Sequence, residues 1–206
     1  RYIRRQRQMC IRDRFNNEEL NDEDLGILFE EIEEANNNEP ITFFEILTAA
    51  YFYNASKYPE NINLIETGLF HRFDATNILK DNLASIVTSI GLDHLDWLPE
   101  NEQTTKKIIF EKTSTLLNSN IIIAKQNSTE ILNEIKNSIT KNSSKKYFFN
   151  EDYNYSFNEN GFIFYEDKNG GIKLPIPNVK GQFQLENIST AIATLRSIEQ
   201  LSLIHI

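Results

Sequence analysis

The chain has 206 residues, a formal charge of −9 and 40% hydrophobic residues, which is enough apolar material for one or two domains of ordinary size. Its apolar runs all fall short of the roughly 18 residues that a transmembrane helix needs, and its acidic balance argues against nonspecific nucleic-acid binding, which needs a basic surface. The single cysteine, Cys10, excludes a disulfide within the chain and favours a reducing compartment.

The two ends read as sequence foreign to the rest of the chain. Residues 201–206 can be encoded by DNA whose reverse complement, in another frame, encodes residues 9–14. Two ends of one gene are not expected to be related in this way, whereas translated adapters from sequencing-library preparation are. We therefore interpret residues 1–14 and 201–206 as adapter-derived and exclude them from reasoning about the fold. We expect them not to pack into the core, and we expect residues 15–200 to be an internal fragment of a longer protein.

Helix and strand patterns alternate over the first two thirds of the chain. In chain order they predict a helix that is capped by Asp22 and reaches Ala35, a helix over 42–57, strands over 61–66 and 83–90, a helix over 104–117, a strand over 120–125 and a helix over 128–139. The helix over 42–57 is apolar nearly all round, so we expect it to be buried. The strand over 83–90 is apolar enough to be buried on both faces. This alternation favours an α/β layer with a parallel sheet.

The pattern changes after residue 145. Short strands are predicted over 146–149, 153–157, 162–166 and 171–174, followed by a closing helix over 187–200. Lys168-Asn169-Gly170-Gly171 is a hairpin turn signal within this region. We therefore predict one α/β domain over 15–200, with an antiparallel β appendage at about 146–175.

Polar residues follow two of the predicted strands. Glu66 ends the strand over 61–66, and Asp93 and His94 follow the strand over 83–90. Ligands bind at the carboxyl ends of strands in an open parallel sheet, and a carboxylate with an imidazole suits a divalent metal that holds nucleotide phosphates. The spacing alone favours the simpler interpretation, in which Glu66 is a capping carboxylate and His94 a loop histidine.

Three further segments have ordinary structural interpretations when each is taken alone. Glu111-Lys112 in the predicted helix over 104–117 is a solvated charge pair, and Asp74-Ala75-Thr76-Asn77 is a polar turn. Thr42-Phe43-Phe44-Glu45 is the capped beginning of a helix.

The order of these segments nevertheless resembles a known family, the folylpolyglutamate synthase/dihydrofolate synthase family of the Mur-ligase superfamily. The segments that carry the resemblance are Thr42-Phe43-Phe44-Glu45, Glu66-Thr67-Gly68-Leu69, Arg72-Phe73-Asp74-Ala75-Thr76-Asn77, Thr88-Ser89-Ile90-Gly91-Leu92-Asp93-His94, Glu111-Lys112, Leu174-Pro175-Ile176-Pro177, Gly181-Gln182-Phe183-Gln184 and Asn187. The resemblance implies an incomplete Mur-ligase-type ATPase domain. It also implies an ATP-dependent ligase that phosphorylates a carboxylate of dihydropteroate or folate, after which the amine of L-glutamate displaces phosphate.

The resemblance also assigns roles to individual residues. Glu66 and His94 match ligands of Mg²⁺, and Lys112 matches a lysine that is carbamylated in the family, which makes His94 and Lys112 the candidate catalytic residues. Four residues match pterin contacts and two match the ATP side: Thr42, Phe44, Asp74 and Ala75 for the pterin, Gln184 and Asn187 for ATP. A cytoplasmic enzyme, monomeric at full length and without nucleic-acid or membrane partners, is the corresponding expectation.

The chain departs from the family pattern at several points. Phe70 and His71 stand where the family has two glycines, and Phe183 stands where a histidine is common. The sequence contains no Gly-Lys-Ser/Thr phosphate loop, so we expect the chain by itself to be inactive. Two alternatives remain: another Mur-type amide ligase of peptidoglycan precursor synthesis, and a non-catalytic α/β binding module.

Overall fold

The computed structural model describes residues 14–15, 18–19, 21–158, 161–176, 178, 181 and 183–198. The chain divides into two compact units, residues 1–68 and residues 69–206. Nearly all of both adapter-like segments, including residues 201–206, and the predicted motif residue Gln182 lie outside the described residues. The expectation that the two ends stay out of the core therefore remains a prediction.

The first unit contains a short antiparallel ribbon and two helices. Its elements are β1 (Arg14–Phe15), β2 (Glu18–Glu19), α1 (Asp22–Ala35) and α2 (Phe43–Ala55). The predicted end of α1 at Ala35 is confirmed, but the cap is Asn21, whose side chain accepts a hydrogen bond from Asp24 N at 2.8 Å. The prediction of Asp22 as the cap is wrong because Asp22 already has helical geometry.

Helix α2 begins with a capping box, in which Thr42 Oγ1 accepts from Glu45 N and Glu45 Oε2 accepts from Thr42 N. One face of the helix is buried, including Ile46 and Leu47, whereas Phe43 is 62% exposed. The expectation of burial all round is therefore wrong for one face.

The predicted strand over 61–66 is also wrong, because these residues have no regular secondary structure. The apolar side chains that suggested a strand are exposed, with Leu64 at 89% and Ile62 at 61%. No described strand pairs with this segment, so its alternating apolar residues form no backbone hydrogen bonds with a neighbouring strand.

The second unit combines a parallel sheet with an antiparallel one. Its elements are β3 (Ala84–Val87), α3 (Thr105–Thr113), β4 (Asn120–Ile123), α4 (Thr129–Ser138), β5 (Lys146–Phe148), β6 (Tyr153–Asn158), β7 (Phe162–Asp167), β8 (Gly170–Pro175) and α5 (Phe183–Ser197), with short 3₁₀ helices at Leu95–Trp97 and Glu100–Glu102. Strands β3, β4 and β5 are parallel in that order, and β6, β7 and β8 form an antiparallel meander. The predicted α/β class with a small antiparallel sheet is confirmed.

Strand β5 corrects one prediction. Residues 146–149 were expected in the antiparallel region, but β5 is the third strand of the parallel sheet. Helix α4 supplies the crossover between β4 and β5, and such a crossover makes the two strands parallel. The hairpin predicted at 168–171 is confirmed, since Asp167 pairs with Gly170 across a two-residue turn.

The central strand β4 separates two apolar clusters. Ile121 and Ile123 lie in one cluster with residues of α3 and α4, and Ile122 lies in the other with Tyr165 of β7 and Ile192 of α5. All three β4 isoleucines have no solvent exposure. Strand β3 is not buried on both faces as predicted, because Ile86 is 41% exposed at the edge of the described sheet. Among the described helices, none is long and apolar enough to cross a membrane.

Candidate functional site

The loop after β3 is fixed by a side chain from the loop after β4. The last backbone hydrogen bond between these strands runs from Ala124 N to Val87 O at 2.9 Å. Beyond it, Gln126 Oε1 accepts from Ile90 N at 3.0 Å, and Gln126 Nε2 donates to Thr88 O at 3.2 Å and to Ala124 O at 2.9 Å. The two loops therefore stay paired past the ends of their strands.

His94 lies at the far end of the loop after β3. It precedes the 3₁₀ helix Leu95–Trp97 and has left-handed backbone geometry, with φ 54°. Its ring is exposed and lies edge-on to the ring of Phe70, with 5.8 Å between centroids. Among the described residues, none forms a hydrogen bond with the imidazole nitrogens.

Lys112 comes to the same place from the last turn of α3. Its Nζ lies 3.3 Å from Asp93 Oδ2 and 5.9 Å from the centroid of the Phe70 ring. The two predicted catalytic residues, His94 and Lys112, thus both contact Phe70, and Asp93 pairs with Lys112. The structure brings this part of the predicted site together.

Glu111, next to Lys112, is not the solvated residue that the sequence suggested. It is 4% exposed, and its carboxylate accepts from Arg72 Nε at 2.7 Å and from Arg72 Nη2 at 2.8 Å. Lys107 Nζ lies 3.2 Å away, and Arg72 N donates to Glu111 O at 3.0 Å. Hydrogen bonds from Arg72 lower the pKa of Glu111 against the opposing effect of burial, and Lys107 lowers it further.

Arg72 belongs to the loop that carries Asp74, so the pair with Glu111 attaches this loop to the helix that carries Lys112. The carboxylate of Asp74 organises the loop from inside. Its Oδ2 accepts from Leu69 N at 2.8 Å, and its Oδ1 accepts from Thr76 N at 3.0 Å and from Thr76 Oγ1 at 2.6 Å. Asp74 is 9% exposed and Ala75 is half-buried.

Phe70 and His71 differ in their backbone geometry. Phe70 has φ 55°, in the left-handed region that favours glycine, whereas His71 does not have positive φ. His71 is half-buried, and its Nδ1 lies 2.9 Å from Thr115 Oγ1. The same hydroxyl oxygen accepts a hydrogen bond from Asn77 Nδ2 at 3.1 Å. Burial lowers the pKa of His71, and the charge of Asp74 partly opposes that effect.

The predicted ATP-side residues lie on the first turns of α5. Asn187 Nδ2 donates to Gln184 Oε1 at 3.2 Å, and Asn187 is exposed. Between them, Glu186 Oε1 lies 2.8 Å from Lys125 Nζ. This ion pair joins the beginning of α5 to the loop after β4, next to Gln126.

The remaining predicted residues belong to the first unit. Thr42 is engaged in the capping box of α2, and Phe44 is 44% exposed. Glu66 is exposed and does not end a strand, because the strand expected before it is absent. Within the described part of the chain, no three His, Cys, Asp or Glu side chains are grouped so that they could hold a metal ion by themselves.

Several connections in this site were not identified from the sequence. Arg72, Gln126 and Thr115 hold the loops around Lys112 and His94 through hydrogen bonds to residues 36 to 44 positions away. The one local signal near them is the i,i+4 spacing of Lys107 and Glu111, which is typical of a helical ion pair but does not point to Arg72.

Comparison with known proteins places the chain beside folate enzymes, although no protein-family model matches it. It is 29% identical over 170 residues to the dihydrofolate synthase/folylpolyglutamate synthase of Escherichia coli. The aligned region covers 82% of this chain and 38% of the relative. It is also 37% identical over 99 residues to the Haemophilus influenzae protein of the same name. That aligned region covers 48% of this chain and 22% of the relative. The chain thus spans less than half the length of these curated relatives.

Solved structures give a consistent result. The complex of E. coli FolC with DHPP and ADP superposes with a TM-score of 0.74 at 28% identity, covering 89% of this chain and 42% of that chain. A folylpolyglutamate synthase from Thermotoga maritima superposes with a TM-score of 0.76 over 90% of this chain and 44% of that chain, at 23% identity. At that lower identity the likeness concerns the fold.

Proposed function

We infer that this chain, which belongs to the folylpolyglutamate synthase/dihydrofolate synthase family, is a segment of an ATP-dependent ligase. The ligase adds L-glutamate to dihydropteroate or folate through an acyl phosphate. The observation that carries the proposal is the match over 89% of the chain to a FolC structure that holds DHPP and ADP. We assign residues 15–200 to the central ATPase domain of that enzyme.

The reaction makes clear demands on the site. A carboxylate must approach a phosphoryl group despite the repulsion between two anions, and the amine of glutamate must then attack the acyl phosphate in line. Positioning and charge neutralisation therefore supply most of the catalysis. The second unit offers a cation at Lys112, an exposed imidazole at His94 and polar groups at Gln184 and Asn187. We propose that Gln184 and Asn187 contact the nucleotide and that Lys112 and His94 face its phosphates.

Mg²⁺ fits this set of residues on chemical grounds. Mg²⁺ keeps several water ligands and takes one or two protein groups plus phosphate oxygens, so one carboxylate and one imidazole can provide the protein's share of its ligands. Glu66 and His94 would hold the ion, and a carbamate on Lys112 would add a further anionic oxygen donor. When bound, Mg²⁺ supplies neutralisation of phosphate charge. In the unmodified form, the Lys112 ammonium donates to Asp93 Oδ2.

We propose that the pterin side of the substrate contacts Thr42, Phe44, Asp74 and Ala75. The exposed ring of Phe44 can provide a flat apolar surface. Asp74 holds its loop by accepting three hydrogen bonds, so we expect it to act on the substrate chiefly by keeping Ala75 and its neighbours in place.

The proposal is tested with the protein encoded by the complete reading frame that contains this chain. Labelled L-glutamate, ATP and Mg²⁺ are supplied with dihydropteroate, a reduced folate or a muramoyl-peptide precursor in parallel. We expect ATP-dependent incorporation with a pteridine substrate. Incorporation of an amino acid only into the muramoyl precursor would instead support the alternative Mur-type ligase, and no ligation of any kind would support a binding module.

Substitution at Lys112 tests the assigned roles within the same assay. Lys112→Met should lower kcat by about 100-fold, as expected for a group that stabilises charge in the transition state. Lys136→Met is the matched control, because Lys136 lies on α4 and pairs with Glu151 rather than with Asp93. Equal activity of the two variants would contradict the role of Lys112.

A further inference from the structure

The side chain of Gln126 uses its donors and its acceptor at the same time. Its Oε1 accepts from Ile90 N at 3.0 Å, and its Nε2 donates to Thr88 O at 3.2 Å and to Ala124 O at 2.9 Å. An amide carries two N–H donors on one nitrogen, so both are satisfied here. A carboxylate of the same length has no donor, and a thioether has none either.

These bonds replace backbone pairing where the sheet ends. The parallel ladder between β3 and β4 ends with the bond from Ala124 N to Val87 O. The Gln126 amide then accepts from one residue of the β3 loop and donates to another, as the peptide groups of a neighbouring strand would. The path of the β3 loop is therefore set as far as Ile90, three residues beyond the strand.

The loop that Gln126 fixes carries the functional groups of the second unit. Ile90 is 2% exposed, so it is anchored by packing as well as by its N–H. Asp93 and His94 follow within four residues, and both are exposed. Because the anchor lies just before these exposed groups, their position depends on the backbone at Ile90.

We propose that Gln126 is a positioning residue of the ligase. It holds residues 88–90 and thereby fixes the backbone from which His94 reaches its ligands. This inference rests on the proposed function, since the loop would otherwise have no reaction to serve. The hydrogen bonds of Gln126 go to the backbone of Ile90, Thr88 and Ala124.

The first test uses the 206-residue chain and measures amide hydrogen exchange. Gln126→Met keeps the length of the side chain and removes its hydrogen bonds. We expect exchange at Ile90 to accelerate by roughly tenfold, the effect of losing one hydrogen bond of ordinary net strength, with no change in the amides of β4. Gln126→Glu retains the acceptor and should preserve part of the protection. The matched control is Gln103→Met, which removes a single bond to Leu98 O at 3.2 Å.

The second test uses the complete enzyme and measures the Mg²⁺ concentration for half-maximal ligation. In Gln126→Met this concentration should rise by about tenfold, the usual cost of removing a group that orients a metal ligand, while KM for L-glutamate is unchanged. A residue that only supported folding would lower the amount of active enzyme without moving the Mg²⁺ dependence.

The outcomes separate the two proposals. Ligation by the wild type, with unchanged Mg²⁺ dependence in Gln126→Met, overturns the positioning role and leaves the proposed function intact. Absence of ligation by the wild type overturns the proposed function, and the exchange test then decides about Gln126. Faster exchange confined to residues 88–94 supports its hold on the loop, and unchanged exchange at Ile90 refutes it.

Discussion

Phe70 combines a left-handed backbone with a ring that packs on the core. Its φ is 55°, and it contacts the apolar cluster that includes Ile108 and Ile109. A non-glycine residue in this region costs about 1–2 kcal/mol. The contacts of the ring with this cluster and with His94 are the interactions that can offset the strain.

A pair of substitutions at Phe70 distinguishes the effect of the left-handed backbone on stability from the effect of the ring. Phe70→Ala and Phe70→Gly both remove the ring, but only glycine relieves the left-handed strain. We expect the glycine variant to be more stable than the alanine variant by about 1 kcal/mol in urea unfolding. At His71, which lacks positive φ, the order should reverse, with alanine more stable than glycine by about 0.5–1 kcal/mol. The same order at both positions would contradict the assigned backbone geometries.

His71 should make stability depend on pH. Burial lowers its pKa in the folded chain, with Asp74 opposing, so the unfolded chain binds a proton that the folded chain releases. The stabilising contribution is then complete above the unfolded pKa of about 6.5 and is lost as the pH falls from there through the folded pKa. His71→Gln should weaken this dependence in unfolding experiments from pH 8 to pH 5. Parallel curves for the two proteins would show that His71 is not responsible.

At the scale of secondary structure, the contact between helix α3 and the loop that carries Arg72 and Asp74 depends on Glu111. The buried carboxylate binds Arg72 through both oxygens, whereas Lys107 also contacts Glu102 nearer the solvent. Removing a hydrogen-bonded buried charge costs more than removing an exposed ion pair. The loop and helix should therefore separate when Glu111 is neutralised.

We expect Glu111→Gln to lower the free energy of unfolding by about 2 kcal/mol at pH 7. The matched control Glu102→Gln should change it by less than about 0.5 kcal/mol. Because the folded pKa of Glu111 is lowered, its contribution is present above the ordinary pKa and disappears as the pH falls through the folded value. The difference between wild type and Glu111→Gln should accordingly shrink at acid pH. Equal effects of the two substitutions at pH 7 would contradict the burial of Glu111.

Local patterns located the helices well and the strands less well. Helix α1 begins at Asp22, the residue predicted as its cap, and α2, α3 and α4 begin one residue after the predicted starts, because caps and apolar periodicity are both local signals. Two helix ends were predicted wrongly: α3 ends at Thr113 instead of residue 117, and α5 begins at Phe183 instead of residue 187. The prediction of a strand over 61–66 was wrong because a strand needs a pairing partner, which the local sequence does not reveal. The direction of β5 likewise depends on the α4 crossover.

At the scale of the whole molecule, the order of motifs identified residues that the fold then brings together. His94 and Lys112 are distant in sequence, yet both contact Phe70. The supports around them were not predictable, because the buried state of Glu111 and the reach of Gln126 arise only when α3, β3 and β4 pack. A solvated charge pair and a buried one look the same in sequence.

The chain as a whole lacks one component that ATP turnover requires. Its sequence contains no Gly-Lys-Ser/Thr loop, and in nucleotide-binding folds that loop surrounds the phosphates with backbone N–H groups and a lysine. Lys112 is paired with Asp93 on a helix and offers a single charge without such a nest. We therefore expect the purified 206-residue chain to release no phosphate from ATP and to ligate no glutamate above background. The assay follows phosphate release and glutamate incorporation with dihydropteroate, and the full-length E. coli relative serves as the positive control. ATP-dependent ligation by the chain alone would show that other groups cradle the phosphates, and the roles assigned to Lys112 and His94 would then need to be replaced.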